Sequence, residues 1–205
     1  DPDYGINYFN FAYAESEIDK NEEAKKHYTI FIENNPESED LSAAYNNRGL
    51  IYNTQENYKN AIEDYNKAID IYKTQDEDDI KEAKIRTYNN RAEAYYAWAE
   101  SIRKEDYETA KKYYKNAVKD WNEVLKLDSD YDIDYFEKAY AENEIGRLKV
   151  ALKDYTKYLK DTESEVGYNN RGWVYEQLGE FDKAENDYKS ALKIEPDYEL
   201  SINNL

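Results

Sequence analysis

The chain contains no cysteine, no methionine and a single histidine, His27. Without cysteine there can be no disulfide, no thiol nucleophile and no Cys-based zinc site, and any Ser/His/Asp triad would have to use that one imidazole. Positive charge is also short. The 205 residues carry 28 Lys plus Arg against 46 Asp plus Glu, a formal charge of −18. Nucleic-acid affinity depends on Lys and Arg displacing counterions from phosphates, so this balance argues against nucleic acid and against anionic membrane surfaces, and leaves basic partners open. No apolar run approaches 18 residues and no basic-then-apolar leader is visible, so neither a membrane-inserted span nor a signal peptide is expected. With no initiator methionine, the chain reads as a piece of a longer one.

Tyrosine compensates for the small aliphatic content. It supplies 24 residues, and the 40% apolar fraction counts them. A core built from this composition must be tyrosine-rich, with phenol hydroxyls at its edge where water or a polar group can satisfy them.

Self-comparison shows a unit recurring about every 34 residues. Its clearest first block is Tyr45-Asn-Asn-Arg-Gly49, Tyr88-Asn-Asn-Arg-Ala92 and Tyr168-Asn-Asn-Arg-Gly172, and its second block begins at Tyr58, Tyr114 and Phe181. Five copies fall into register at 5–38, 42–75, 85–131, 132–164 and 165–198, forming a single array over 1–205. Place four is always Tyr (Tyr8, Tyr45, Tyr88, Tyr135, Tyr168). Place eight is always small (Ala12, Gly49, Ala92, Ala139, Gly172), and so is place twenty (Ala24, Ala61, Ala117, Ala151, Ala184). Four residues after that alanine comes an aromatic in every unit: Tyr28, Tyr65, Trp121, Tyr155 and Tyr188. The i, i+4 spacing puts both on one helix face, and small residues let two helices approach closely. Gly146, Gly179 and Gln55-Glu-Asn57 mark turns between helices, and Pro36 and Pro196 end their units.

This pattern resembles the tetratricopeptide repeat (TPR), a family of 34-residue helix–turn–helix units with an aromatic, small, aromatic, alanine signature. The resemblance covers nearly the whole chain. It implies an all-α, right-handed solenoid of about five antiparallel helix pairs, stabilised by stacking of neighbours, whose first helices line a concave groove that holds a peptide or another protein. Residues 199–205 then read either as a capping helix or as the truncated first helix of another unit, since Asp1-Pro-Asp-Tyr4 has the form of the unit end Glu195-Pro-Asp-Tyr198.

Two columns depart from the family. Place seven, commonly Leu, is Arg48, Arg91, Lys138 and Arg171, and place twenty-three of the same units is Asp64, Asp120, Asp154 and Asp187. Unit one has Phe11 and His27 there instead. The two places lie opposite each other in an antiparallel hairpin, which predicts a salt bridge in each of the last four pairs, with His27 a helix-face residue rather than a ligand or base. The third unit holds thirteen extra residues without proline or glycine, which predicts two lengthened helices, about two turns or 10 Å each, standing out from the solenoid as a spur. Trp98 and Tyr107 are its candidate docking residues, the alternative being a harmless insertion. The carboxylate run Asp76-Glu-Asp-Asp79 lacks the spaced loop of an EF-hand and reads as a solvated connection that caps the next helix.

If the family geometry holds, the groove presents Phe9, Asn46, Asn89, Phe136 and Asn169 at place five. Place six gives Asn10, Asn47, Asn90, Glu137 and Asn170, and place nine gives Tyr13, Leu50, Glu93, Tyr140 and Trp173. An amide both donates and accepts, so a row of asparagines suits the backbone of an extended peptide. The residue types that grip the C-termini of Hsp70 and Hsp90 in the TPR carboxylate clamp are absent from the corresponding places, which argues against that partner. The resulting expectation is a non-catalytic scaffold for a protein or extended peptide, of basic character, without cofactor or metal. A carbohydrate-binding envelope protein using Tyr13, Tyr140 and Trp173, or the regulatory segment of a larger enzyme, are the alternatives. Richness in Asn, Lys, Ile and Tyr suggests an AT-rich, bacterial genome, with the cytoplasm favoured and the cell envelope open.

Overall fold

In a computed structural model, residues 2–75 and 77–205 are described, without the side chains of 2–6 and 77–79. Among these residues all regular structure is helical: α1 (Pro2–Ser16), α2 (Asn21–Asn34), α3 (Leu41–Thr54), α4 (Tyr58–Tyr72), α5 (Glu77–Ile102), α6 (Tyr107–Leu127), α7 (Tyr135–Glu144), α8 (Leu148–Asp161), α9 (Glu165–Gln177), α10 (Phe181–Ile194) and the short α11 (Glu199–Asn204). Consecutive helices pair as hairpins, and each second helix also packs on the first helix of the next pair. First helices touch across units, α1 to α3, α3 to α5 and α7 to α9, whereas the second helices of successive pairs make no comparable contact. A stack joined in this way curves toward its first helices, which therefore line the inner face.

Turn chemistry follows the repeat. Place fifteen adopts the left-handed conformation in four units, as Asp19 (φ 58°), Glu56 (φ 58°), Gly146 (φ 79°) and Gly179 (φ 76°), which reverses the chain between the helices of a pair. Glycine occupies this conformation without a Cβ penalty; Asp19 and Glu56 do not have that freedom. Asn57, Asp106, Asp134 and Ser164 accept backbone N–H bonds at the starts of α4, α6, α7 and α9, satisfying amides that have no partner inside the helix.

The core is the predicted aromatic column. Tyr28, Tyr65, Trp121, Tyr155 and Tyr188 are all buried, each carried by a second helix. The small residues at place eight exist because these rings lie on them. A Cβ built on Gly49 would stand 2.8 Å from Tyr65 Cε1, and one on Gly172 would stand 2.7 Å from Tyr188 Cε1, closer than carbon atoms pack.

All four predicted ion pairs form. Arg48 bonds Asp64 through Nε and Nη2 at 2.8 and 2.7 Å, Arg91 bonds Asp120 at 2.7 and 2.7 Å, and Arg171 bonds Asp187 at 2.7 and 2.7 Å. The remaining Nη1 reaches back to place twenty-five of the preceding unit: Thr29 at 2.9 Å, Asn66 at 2.5 Å and Thr156 at 3.5 Å. One guanidinium thus ties a hairpin to itself and to its neighbour. Rings cover it, Tyr45 and Tyr52 for Arg48, Tyr88 for Arg91, Tyr168 and Tyr175 for Arg171. In unit four an ammonium replaces the planar group, and Lys138 donates to Asp154 and, at 2.9 Å, to Glu142. Burial raises the Glu142 carboxyl well above its usual range despite the Lys138 ammonium, and its Oε2 has no partner. His27 in unit one bonds Glu15 at 2.6 Å.

The third hairpin lengthens as expected, to 26 and 21 residues for α5 and α6, and α5 begins at Glu77, so the acidic run opens that helix, as the sequence suggested. Residues 80–84, which fall outside the repeat register, belong to the same helix, and Ile80 is buried with Ala68, Ile69 and Tyr72. No proline or glycine breaks this stretch, and Ile80 gives the extra turns an apolar contact with α4. Asp76 and the side chains of Glu77, Asp78 and Asp79 lie outside the described residues.

Burial raises the Asp120 carboxyl more than Arg91 lowers it, so the pair is worth little against an apolar replacement, while its separated members are costly. Arg91→Met should destabilise the fold by about 3–5 kcal/mol, and Arg91→Met with Asp120→Leu should recover most of that loss, as read by urea unfolding. Gly49→Val, which forces a side chain into the Tyr65 ring, should cost about 1–3 kcal/mol by the same measurement.

Candidate functional site

The predicted groove residues all lie on first helices, but they do not form one uniform surface. At the N-terminal end Phe9, Asn10, Tyr13, Asn46 and Asn47 converge with Ala43, Tyr72, Arg86 and Thr87 on a cavity of about 320 Å³. Phe9 forms its wall by packing on Tyr28 and Phe31, with ring centroids 5.8 and 5.3 Å away. The amides there are linked: Asn90 Nδ2 donates to Asn46 Oδ1 at 3.0 Å, Asn46 Nδ2 to Asn47 Oδ1 at 3.2 Å, and Asn47 Nδ2 to the Tyr28 hydroxyl at 3.1 Å.

The last of these bonds gives Asn47 two roles, because place six of unit two is both groove surface and the cap of a buried hydroxyl. The buried hydroxyls of Tyr65 and Tyr155 have no hydrogen-bond partner, although place six of the unit after each is an asparagine, Asn90 and Asn170.

Further along, the chemistry changes sign. Glu93, Asp130, Asp132, Asp134 and Asp161 line a cavity of about 630 Å³ with Tyr131, Ile133, Tyr135, Tyr158, Thr162 and Lys157. Asn89, one of the predicted groove residues, donates to Glu93 Oε1 at 2.7 Å. Burial, then the charges of Asp134, Glu93 and Glu100, push Glu137 up to about 7. Burial and Asp134 also raise Glu93 against the bond from Asn89. Glu93 and Glu137 were legible as groove columns. The aspartates were not, because 130–134 span the junction of units three and four, at places that the groove columns do not include.

The other predicted residues have mixed settings. Leu50 and Trp173 are exposed. Phe136 packs on Tyr155 and Tyr158. Tyr140 sits edge-on to Tyr96 and Tyr114 and accepts a bond from Arg103. Asn169 is buried, taken by Ser201 at 3.0 Å and Asn204 at 3.2 Å from α11. The aromatics of the sugar reading, Tyr13, Tyr140 and Trp173, are carried by three different first helices. Trp98 stacks on Tyr113 at 4.2 Å and on Tyr58 at 6.5 Å, so it ties the spur to the preceding hairpin. Tyr107 is half exposed and donates to the Glu144 carbonyl at 3.3 Å. Among the described residues no three acidic or imidazole groups could hold a metal ion, and no helix is long and apolar enough to cross a membrane.

A curved stack of helical hairpins with a polar inner face defines the class: a repeat solenoid. Residues 42–75 and 166–198 match the family model for the tetratricopeptide repeat. The chain is similar to YrrB, described as a TPR protein with an unusual peptide-binding site, at 20% identity and TM-score 0.72, covering 98% of this chain and 91% of that one. It is also similar to MamA (AMB-1), at 13% identity and TM-score 0.73, covering 98% of each. For a thermophilic TPR protein of Thermus thermophilus the values are 16% and 0.56, covering 97% of this chain and 96% of that one. These three likenesses show a shared fold. Over 81 residues, 40% of this chain, it is 30% identical to DnaJ homolog subfamily C member 3 of Gallus gallus, and the match spans only 16% of that relative's length. The chain thus contains tetratricopeptide repeats and has the fold of a TPR solenoid.

A carboxyl raised in the folded state favours the fold while protonated, and that contribution is lost as pH rises from its unfolded value through its folded one. Glu137→Gln should therefore leave the melting temperature nearly unchanged near pH 4.5 and raise it at pH 8, a comparison that thermal unfolding at the two pH values makes directly.

Proposed function

We propose that this chain is a non-catalytic scaffold whose inner groove holds an extended segment of a partner protein, and that the partner is basic. The observation that carries the reading is the convergence of Phe9, Asn10, Tyr13, Asn46 and Asn47 on one cavity, beside a linked row of half-buried amides. An extended backbone offers alternating N–H and C=O groups, and amide side chains can meet both without reading sequence. Aromatic walls at Phe9 and Tyr13 would take the apolar parts of side chains. The charge of −18 steers basic ligands toward the solenoid, and that part of the affinity falls as salt rises.

Similarity to YrrB, itself described by its peptide-binding site, supports the same use of this fold. The proposal requires neither a Ser/His/Asp set nor a metal. The clamp for chaperone C-termini is not part of it: among the described residues the N-terminal cavity has one cation, Arg86.

Selection of displayed dodecapeptides on the chain should return ligands whose affinity falls about tenfold or more when Asn47, Asn90 and Asn170 are all changed to Ala, with thermal unfolding verifying that the variant remains folded. Ligands indifferent to the three changes would place recognition elsewhere on the solenoid.

A further inference from the structure

We infer that Lys138, Glu142 and Asp154 form a proton-held latch: Glu142 is a neutral carboxylic acid in the closed α7–α8 hairpin, and loss of its proton in mildly alkaline solution loosens α7. The inference is independent of what the groove holds. Two carboxyl groups share one ammonium here. Lys138 Nζ donates to Glu142 Oε1 at 2.9 Å and also to Asp154 Oδ2, and the three side chains are only 4%, 1% and 8% exposed. One ammonium balances one carboxylate. With both carboxyls ionised, the interior would hold an uncompensated negative charge, which burial penalises heavily.

The neighbouring helices do not supply the missing charge. Among the described residues Glu142 bonds only Lys138, and its buried Oε2 has no partner. The helices packed on α7 are α6, α8 and α9. Asp120 of α6 is held by Arg91, Asp154 of α8 by Lys138 itself, and Arg171 of α9 by Asp187. Lys115 and Lys119 of α6 and Lys149 and Lys153 of α8 are exposed to solvent. A proton on Glu142 is the remaining way to neutralise the cluster. In agreement, burial raises the Glu142 carboxyl to about 7, with Lys138 opposing the rise and Asp154 adding to it.

The helix that carries this group is also the one least tied to its surroundings. At 10 residues α7 is shorter than any other helix of a hairpin. In three other units the guanidinium at place seven also reaches back to the preceding unit, at Thr29, Asn66 and Thr156. Among the described residues Lys138 bonds only Glu142 and Asp154. A carboxyl raised by folding contributes stability while protonated, in full below its unfolded value of 4.5, and that contribution is lost as pH rises through about 7. Ionisation of Glu142 therefore favours local opening of the hairpin.

Hydrogen exchange of the intact chain at about pH 6 and about pH 8.5, corrected for the base catalysis of exchange itself, tests the latch. Between the two conditions, protection of the α7 and α8 amides should fall about tenfold or more relative to those of α3 and α4. In Glu142→Gln, which keeps the shape and has no proton to lose, that ratio should stay within about twofold. If the Gln variant does not fold, Lys138→Arg with Glu142→Tyr serves instead. It installs the pairing found in Arg48 with Tyr52, Arg91 with Tyr95 and Arg171 with Tyr175, and should likewise remove the pH dependence. An effect of overall charge or of Glu137 would survive both changes. Dependence that persists in the variants, or is missing from the unaltered chain, would overturn the inference.

Discussion

Each hairpin closes on an aromatic ring with almost no space beneath it. Tyr65 and Tyr188 lie so near Gly49 and Gly172 that a methyl group would overlap the ring, and in the other units alanine is the largest residue at that place. The distance between paired helices is set there, since interiors pack near crystal density and rings do not yield. The same ring has a polar tip, which emerges on the next unit's first helix. Core and groove are thus two ends of one side chain. Where place six is Asn47, the tip of Tyr28 is bonded and the surface is an amide. Where it is Glu137, the tip is the N–H of Trp121, left without a partner, and the surface is acidic.

A polar spine runs beside this apolar one. Arg48, Arg91 and Arg171 each grip an aspartate of their own hairpin and a side chain of the preceding unit. Such pairs add little net energy, because desolvation offsets attraction, but their fork geometry penalises any other register. Place eleven completes the logic: it is Tyr52, Tyr95 and Tyr175 where place seven is arginine, and Glu15 and Glu142 where it is not. The Arg48 and Arg171 guanidinium groups lie over Tyr52 and Tyr175, whereas Lys138 and His27 take a carboxylate. This covariation stands in the sequence, though its meaning appears only once places seven, eleven and twenty-three are seen to meet.

The inner face is consequently graded along the array, linked amides and aromatic walls at one end and unmatched carboxylates midway. The grading coincides with the irregular third unit. The backbones of α5 and α7 approach less closely than those of other neighbouring first helices, meeting through Tyr96 and Tyr140, and the connection at 128–134 brings aspartates beside them. The long hairpin does not project freely. Trp98 leans on Tyr58, and Arg103 and Tyr107 reach Tyr140 and Glu144 of α7, so the insertion bridges the two neighbouring units.

Much of the fold could be read from columns, because a repeat puts the same physical problem to the chain five times and its solutions recur at fixed spacing. Helix pairing, the aromatic core, the four ion pairs and the lengthened third unit came from the sequence by itself. Other features depended on residues that meet outside the period. The 80–84 stretch of α5 needed Ile80 to find Ala68 and Tyr72. Asn169 was lost to the groove because α11 folds over it. The acidic cavity joins Glu93, the 130–134 loop and Asp161, which are far apart in the chain and belong to no common column. Local periodicity determines which face of a helix is buried; where three unrelated segments come together is decided by the stacking of whole units, and only the tertiary structure contains that.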